Sequence, residues 1–271
     1  MGYWNDKAVV VTGASSGIGQ ALVQLLLQNG AQVAACSRNR EKLVAALGAE
    51  HENLLLFAAD VSDPVQCEAF IAAAVQAFGG IDVLINNAGI SMRALFSEVS
   101  FEVLHELMNI NFWGAVYCSR FALPHIQARK GVISGISSIA GYRGLPARAG
   151  YSASKAALQA FLEVLRTELL YTGATALWVS PGFTASNIRN VARDATGGAQ
   201  GETPLEEARL MSAGTCAAHI LKAIEKRKRN LVLTTQGKIT VWLNKLFPAL
   251  ADRLVYRHFL REPDSPLRKK S

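Results

Sequence analysis

Residues 7–30 read KAVVVTGASSGIGQALVQLLLQNG, and the fold follows from how this stretch changes character along its length. Residues 7–12 are a short β-branched apolar run, the pattern of a strand buried on both faces of a parallel sheet. Residues 13–19 make a glycine-rich turn. Ala21, Leu22, Leu25 and Leu26 then fall at helical spacing, and Gly30 closes the helix. A strand, a glycine-rich turn and a helix start bring unpaired backbone N–H groups and the positive end of a helix dipole to one point, which is an anion site. Glycines there let a pyrophosphate approach the backbone.

The same alternation continues outward. Apolar runs at residues 31–36, 53–59, 81–85, 131–136, 174–179 and 230–233 predict further strands. Helical spacing fills the gaps, as in Phe70, Ile71, Ala74, Val75 and Phe78, with Ser62 or Asp63 as the cap and Pro64 in the first turn. Strands alternating with helices imply right-handed βαβ units, hence an α/β, doubly wound parallel sheet of about seven strands with helices on both faces. No repeat or Pro-rich linker divides the chain, so residues 1–235 are expected to form one dinucleotide-binding domain.

The chemistry-bearing residues stand at the strand ends. After the second strand comes Ser37-Arg38, where a site for NAD would place an acidic residue against the ribose 2′-hydroxyl. An arginine offers its donors to a 2′-phosphate instead, which points to NADP(H) rather than NAD(H). The third strand ends at Asp60-Val61, and the fourth runs into Asn86-Asn87-Ala88-Gly89. The fifth delivers Ser137 and Ser138, and residues 180–186, SPGFTAS, follow the sixth. Tyr151 and Lys155 lie four apart on a predicted helix, so phenol and ammonium share one face. The ammonium is expected to pull the phenol below its ordinary pKa of about 10, fitting it for proton transfer near neutral pH. A long helical region at 101–128 carries Asn109 and Asn111 at core-like spacing, where a buried asparagine either satisfies a backbone group or has a chemical role.

With these pieces in place the chain resembles the short-chain dehydrogenase/reductase family over nearly all of residues 6–235. TGASSGIG at 12–19 has the family's TGxxxGxG form, NNAG stands at 86–89 and PG at 181–182. Asn111, Ser138, Tyr151 and Lys155 match the active-site set, Ser138 fitting the spacing to the tyrosine better than Ser137. The resemblance implies a Rossmann-like fold and reversible hydride transfer between a nicotinamide and a carbonyl or secondary alcohol. Gly13, Ser15, Gly17, Ile18 and Gly19 would wrap the cofactor's phosphates. Ser37 and Arg38 would meet the 2′-phosphate, Asp60 and Val61 would flank adenine, and Asn87, Ala88 and Gly89 would form the floor. Pro181, Gly182 and a hydroxyl from Thr184 or Ser186 would meet the carboxamide. Tyr151 would exchange a proton with the substrate oxygen, Ser138 would orient that oxygen, and Lys155 would hold the ribose and depress the tyrosine pKa. Asn111 would anchor a water that relays protons. The resemblance also implies a homodimer or homotetramer packed through the helices at 101–128 and 151–171.

Composition bounds the rest. Half of the 271 residues are hydrophobic and 18% are charged, enough for a large core. Neither a signal peptide nor a membrane-spanning helix is expected, since no apolar run approaches about 18 residues. Cys36, Cys67, Cys118 and Cys216 are scattered without metal-like spacing and read as reduced thiols of a cytoplasmic protein. Much of the +7 net charge sits at 226–229 and 268–270, with no aromatics interleaved, so nucleic acid is not expected as a partner. Residues 187–211 lose periodicity and form a candidate substrate loop. Residues 236–271 add a helical extension with a basic tail. Its apolar stripe holds Ile239, Trp242, Leu243, Leu246, Phe247, Leu250, Leu254 and Phe259, restarted at Pro248. The stripe is expected to cover the protein's own core or a neighbouring subunit, or else to wall a lipophilic pocket or touch a membrane surface beside Lys238, Lys245, Arg253 and Arg257. The extension resembles those of the branch that includes 11β-hydroxysteroid dehydrogenase relatives, which implies a bulky, steroid- or lipid-like substrate. A non-catalytic dinucleotide-binding regulator or a membrane-surface scaffold is the alternative. The complete active-site set argues against it.

Overall fold

The computed structural model describes residues 2–182, 184, 188–189, 191–201, 210–262 and 265–268. Strands β1 (Ala8–Thr12), β2 (Gln32–Ser37), β3 (Leu54–Ala58), β4 (Val83–Asn86), β5 (Val132–Ile136), β6 (Thr175–Ser180) and β7 (Asn230–Val232) form one parallel sheet in the order β3-β2-β1-β4-β5-β6-β7. Thr12 pairs with Cys36 and Val11 with Ile85, so β1 ends level with both neighbours. The chain winds outward from β1 through β2 to β3, then returns to β4 and winds the other way. That reversal leaves a crevice between the C-terminal ends of β1 and β4, the position at which open α/β sheets bind ligands.

The pleat divides the core. Val10, Ala34 and Cys36 face α3 (Pro64–Phe78), α5 (Gly114–Ala128) and α6 (Ala149–Glu168), while Val9, Val11, Val33 and Ala35 face α1 (Gly17–Gln28) and α7 (Ala213–Glu225). Both faces are thus covered, and residues 8–12 are buried throughout. α2 (Arg40–Leu47) and α4 (Phe101–Met108) complete the two layers. Asn39, Asp63 and Ser100 cap α2, α3 and α4 with side-chain oxygens.

Two expectations change. The region 101–128 is not one α-helix: residues Asn109–Trp113 form a π-helical turn between α4 and α5. The C-terminal extension folds as α8 (Thr235–Leu246) and α9 (Pro248–Arg261), split at Pro248 because proline disfavours helical conformation in the residue before it and suits the first turn of a new helix. Its stripe, however, does not cover the core. Ile239, Trp242, Leu246 and Phe247 are each at least half exposed, whereas Phe259 is buried. Polar contacts anchor the extension instead: Asn244 Nδ2 donates to the Tyr142 carbonyl (3.1 Å), and Arg143 donates to Asn244 (3.2 Å) and pairs with Asp252. Among the described residues no helix is long and apolar enough to cross a membrane.

Candidate active site

The turn after β1 is shaped for close approach. Gly13 has φ +68°, a left-handed conformation that glycine adopts without steric cost. A Cβ on Gly19 would collide with the Gly13 carbonyl and stand 2.5 Å from Asn87 Nδ2. Asn87 Nδ2 donates to the carbonyls of Thr12 (2.9 Å) and Gly13 (3.0 Å), while Thr12 Oγ1 accepts from the N–H groups of Asn87 (3.1 Å) and Ala88 (3.0 Å). These bonds lock the ends of β1 and β4 together. Unlike the capped helices, α1 begins with no side-chain cap at Ser16 and no acidic residue in its first turn. Its free N–H groups and dipole favour an anion there.

A cleft of about 490 Å³ opens at these strand ends. Gly13, Ser15, Gly17, Ile18 and Gly19 line it, with Ser37 and Arg38 after β2 and Asn87, Ala88 and Gly89 after β4. Ser138, Tyr151, Lys155, Pro181, Gly182 and Thr184 share the same cleft. Asp60 and Val61 line an adjoining hollow of about 110 Å³, which shares Gly13 and Arg38 with the larger one. Asn111 reaches neither wall, and Ser186 lies outside the described residues. Thr184 is buried and its hydroxyl donates to the Gly182 carbonyl (3.3 Å).

Ser137 and Ser138 separate by their partners. Ser137 Oγ donates to the Lys155 carbonyl (3.1 Å) and accepts from Gln159 Nε2 (2.9 Å), a structural tie between β5 and α6. Ser138 Oγ accepts from the Ala140 N–H (3.1 Å) and hydrogen-bonds the Tyr151 phenol. Lys155 is buried, with Nζ 5.9 Å from the centre of the Tyr151 ring and donating to the Ile136 carbonyl (2.7 Å).

The electrostatics correct the expected role of Lys155. Burial pushes the Tyr151 phenol above its ordinary value. The opposing influences are the Ser138 hydrogen bond and then the charges of Arg148 and Arg189, not that of Lys155. Burial also lowers the Lys155 ammonium to about 8, because charge is poorly solvated at that site.

Asn111 sits in the π-helical turn, 1% exposed, and its side chain is fully engaged. Oδ1 accepts from the Ile90 N–H (2.8 Å), and Nδ2 donates to the Ile90 carbonyl (3.0 Å) and Ser154 Oγ (2.9 Å). A Cβ on Gly89 would stand 3.1 Å from Asn111 Oδ1 and 3.2 Å from Lys155 Nζ, so both side chains close on the backbone at Gly89. Asn111 therefore holds the 89–90 segment against α6.

Sequence reasoning missed Lys42, Arg148 and Arg189, which also line the cleft. Arg148 is three residues before Tyr151, a helical spacing that signals a shared face. Arg189 lies in the aperiodic 187–211 segment, where no pattern assigns a direction.

Comparison with known proteins agrees with this geometry. Residues 7–197 match the family model described as short chain dehydrogenase. The chain belongs to the short-chain dehydrogenase family. It is 34% identical over 273 residues to mouse dehydrogenase/reductase SDR family member 7B, covering 97% of this chain and 84% of that one. It is also 34% identical over 275 residues to 11-beta-hydroxysteroid dehydrogenase A of Arachis hypogaea, covering 96% and 77%. Among solved structures, a short-chain dehydrogenase/reductase from Burkholderia phymatum in complex with NAD superposes with a TM-score of 0.81 at 22% identity, covering 92% of this chain and 96% of that one. One from Burkholderia cenocepacia in complex with NADP gives 0.77 at 24% identity, covering 92% and 98%. The two structural likenesses support the fold. This short-chain dehydrogenase is thus an oxidoreductase by family, of the branch that includes the 11-beta-hydroxysteroid dehydrogenase-like proteins.

Proposed function

We propose that this short-chain dehydrogenase uses NADP(H) to interconvert a carbonyl and a secondary alcohol on a bulky, largely hydrophobic molecule. The observation that carries the reading is the convergence of Ser138, Tyr151 and Lys155 on the cleft that also contains the glycine turn. The residues present suit a dinucleotide: an uncapped α1, a Gly19 position with no room for a side chain, and Asn87 holding the floor. When bound, the nicotinamide supplies or accepts the hydride. Ser138 orients the substrate oxygen, Tyr151 gives or takes the proton at that oxygen, and Lys155 supplies positive charge beside the ribose. Asn111 keeps the 89–90 backbone in place through its bonds to Ile90.

The preference for NADP(H) rests on Arg38 and Lys42 lining the end of the cleft beyond β2, with no carboxylate on its walls among the described residues. Leu145, Ile188 and Val191 line the cleft beside Tyr151 and favour an apolar substrate body, as does the relatives' steroid-linked name. Exposed Phe101, Trp113 and Val164 support a homodimer or homotetramer. The outward stripe of α8 and α9, beside Lys238 and Lys245, supports shallow contact with an anionic lipid surface. The free, buried cysteines suit a reducing, cytoplasmic setting. A screen of lipophilic and small polar ketones with NADPH and NADH tests the reading. NADPH-linked turnover of the lipophilic set is expected, and a clean preference for small polar carbonyls or for NADH would overturn the corresponding part.

A further inference from the structure

Residues 139–148 connect Ser138 to Tyr151, and the C-terminal extension touches that connection at both ends. α8 starts against it, since a Cβ on Gly237 would stand 2.8 Å from Ile139 Cδ1. Asn244 and Asp252 hold Tyr142 and Arg143. Near the start of α6, Phe259 and Glu262 share a close-packed seam with Pro146, Ala147 and Arg148. Arg148 lines this seam and also the catalytic cleft, so one side chain forms a wall of both.

Glu262 ends α9, its N–H donating to the Phe259 carbonyl (3.3 Å). Its carboxylate meets the Arg93 guanidinium at 3.4 Å, and the two side chains are 6% and 8% exposed. Taking one charge from such a buried pair leaves the other poorly solvated, so the contact is costly to break. Arg93 belongs to the segment that continues from the cleft floor at Gly89. Arg148 Nη1 donates to Ser91 Oγ (3.1 Å) and the Met92 carbonyl (3.3 Å), and the Ala94 N–H donates to the Ala147 carbonyl (3.0 Å). Ala147 has φ +58°, a left-handed conformation that strains any residue with a Cβ and therefore needs holding. The same segment exchanges backbone bonds with the substrate loop, Arg93 N–H to the Arg193 carbonyl (2.8 Å) and Arg193 N–H to the Ser91 carbonyl (2.8 Å). Burial works against the Arg148 charge, and the Glu262 carboxylate is the foremost influence supporting it. We propose that Glu262 is a positioning residue for the reaction: through Arg93 and the 91–94 segment it fixes Ala147 and Arg148, and with them the start of the helix that carries Tyr151. The extension is then a clasp on the connection between Ser138 and Tyr151. This rests on the oxidoreductase reading above and adds to it a residue from the C-terminal extension.

The test uses the full-length protein with NADPH and a panel of long-chain 2-alkanones and polycyclic ketones, taking the one that wild type turns over fastest. Circular dichroism at the assay temperature establishes that each variant is folded, and fluorescence titration gives its NADPH dissociation constant. Glu262→Gln is expected to lower kcat by about tenfold or more, with KM and the NADPH constant moving less than about twofold. Glu262→Asp keeps the charge and is expected to recover part of the loss. Arg93→Gln/Glu262→Gln leaves neither charge of the pair alone, which keeps the fold testable if the single variant unfolds. Its kcat is expected to be no lower than that of the worse single variant, because the two residues act as a unit. A folded Glu262→Gln with wild-type kcat would overturn the proposal. So would a kcat loss matched by weaker NADPH binding, an aspartate no better than glutamine, or losses that add in the double variant. Unfolding of the double as well as the single variant would make the clasp purely structural and would also overturn it. Absence of turnover of every ketone by wild type, in either direction, would instead sink the oxidoreductase reading, and this proposal with it.

Discussion

Lys155 illustrates how a residue's surroundings set its chemistry. Burial lowers its pKa from 10.5 to about 8, so the unfolded chain binds more protons than the folded one between those values. Stability attributable to this group therefore rises with pH across that window, after a penalty of up to about 3 kcal/mol below it. Lys155→Met is expected to unfold at a higher temperature than wild type at pH 7, with the gap closing as pH approaches 10.5. A gap independent of pH would contradict this. Tyr151 behaves oppositely: its phenol is raised, so carbonyl reduction should stay flat through neutral pH and alcohol oxidation should climb into the alkaline range. Arg148→Gln removes one charge that favours the phenolate, and should move the midpoint of alcohol oxidation to higher pH. An unchanged midpoint would remove Arg148 from the field acting on Tyr151. Arg38→Ala is expected to weaken NADPH by about tenfold or more and NADH little; equal losses in fluorescence titration would refute the 2′-phosphate assignment. The spacing of Tyr151 and Lys155 was legible in the sequence. The shift in the tyrosine was not, because it is set by burial in the folded cleft, against the opposing Ser138 hydrogen bond and the charges of Arg148 and Arg189.

At the level of elements, hydrophobic period and turn chemistry located β1 to β7 within a few residues, and most of the helices with them, although α2 was given no bounds and α4 and α5 were read as one region. The exception is informative. The π-helical turn at Asn109–Trp113 is flanked by helical spacing on both sides, so periodicity reads straight through it. What demands the turn is a distant partner, the Ile90 backbone bonded by Asn111. The glycine turn was legible because its constraint is local. Gly19→Ala is expected to cost about 1–3 kcal/mol and to abolish dinucleotide binding, since the new methyl group would strike the Gly13 carbonyl. Thermal unfolding with and without NADPH checks both, and a variant that NADPH still stabilises as wild type would show the turn to be less tightly fitted.

For the whole molecule, the sheet order explains why residues from distant parts of the chain share one cleft. Winding outward from β1 in one direction and from β4 in the other opens the crevice into which the turn after β1 and the segments after β4, β5 and β6 project. The sequence could name the strands, and the alternation implied the winding. It could not say which way the α8–α9 stripe faces, because an amphipathic period specifies a face without its partner. The central claim is that this cleft transfers hydride with Tyr151 as the proton donor and acceptor. Its most direct test is NADPH-linked ketone turnover by Tyr151→Phe, with NADPH affinity measured on the same preparation. The expected result is unchanged NADPH binding with turnover reduced by about two to four orders of magnitude, whereas near-normal turnover would contradict the account.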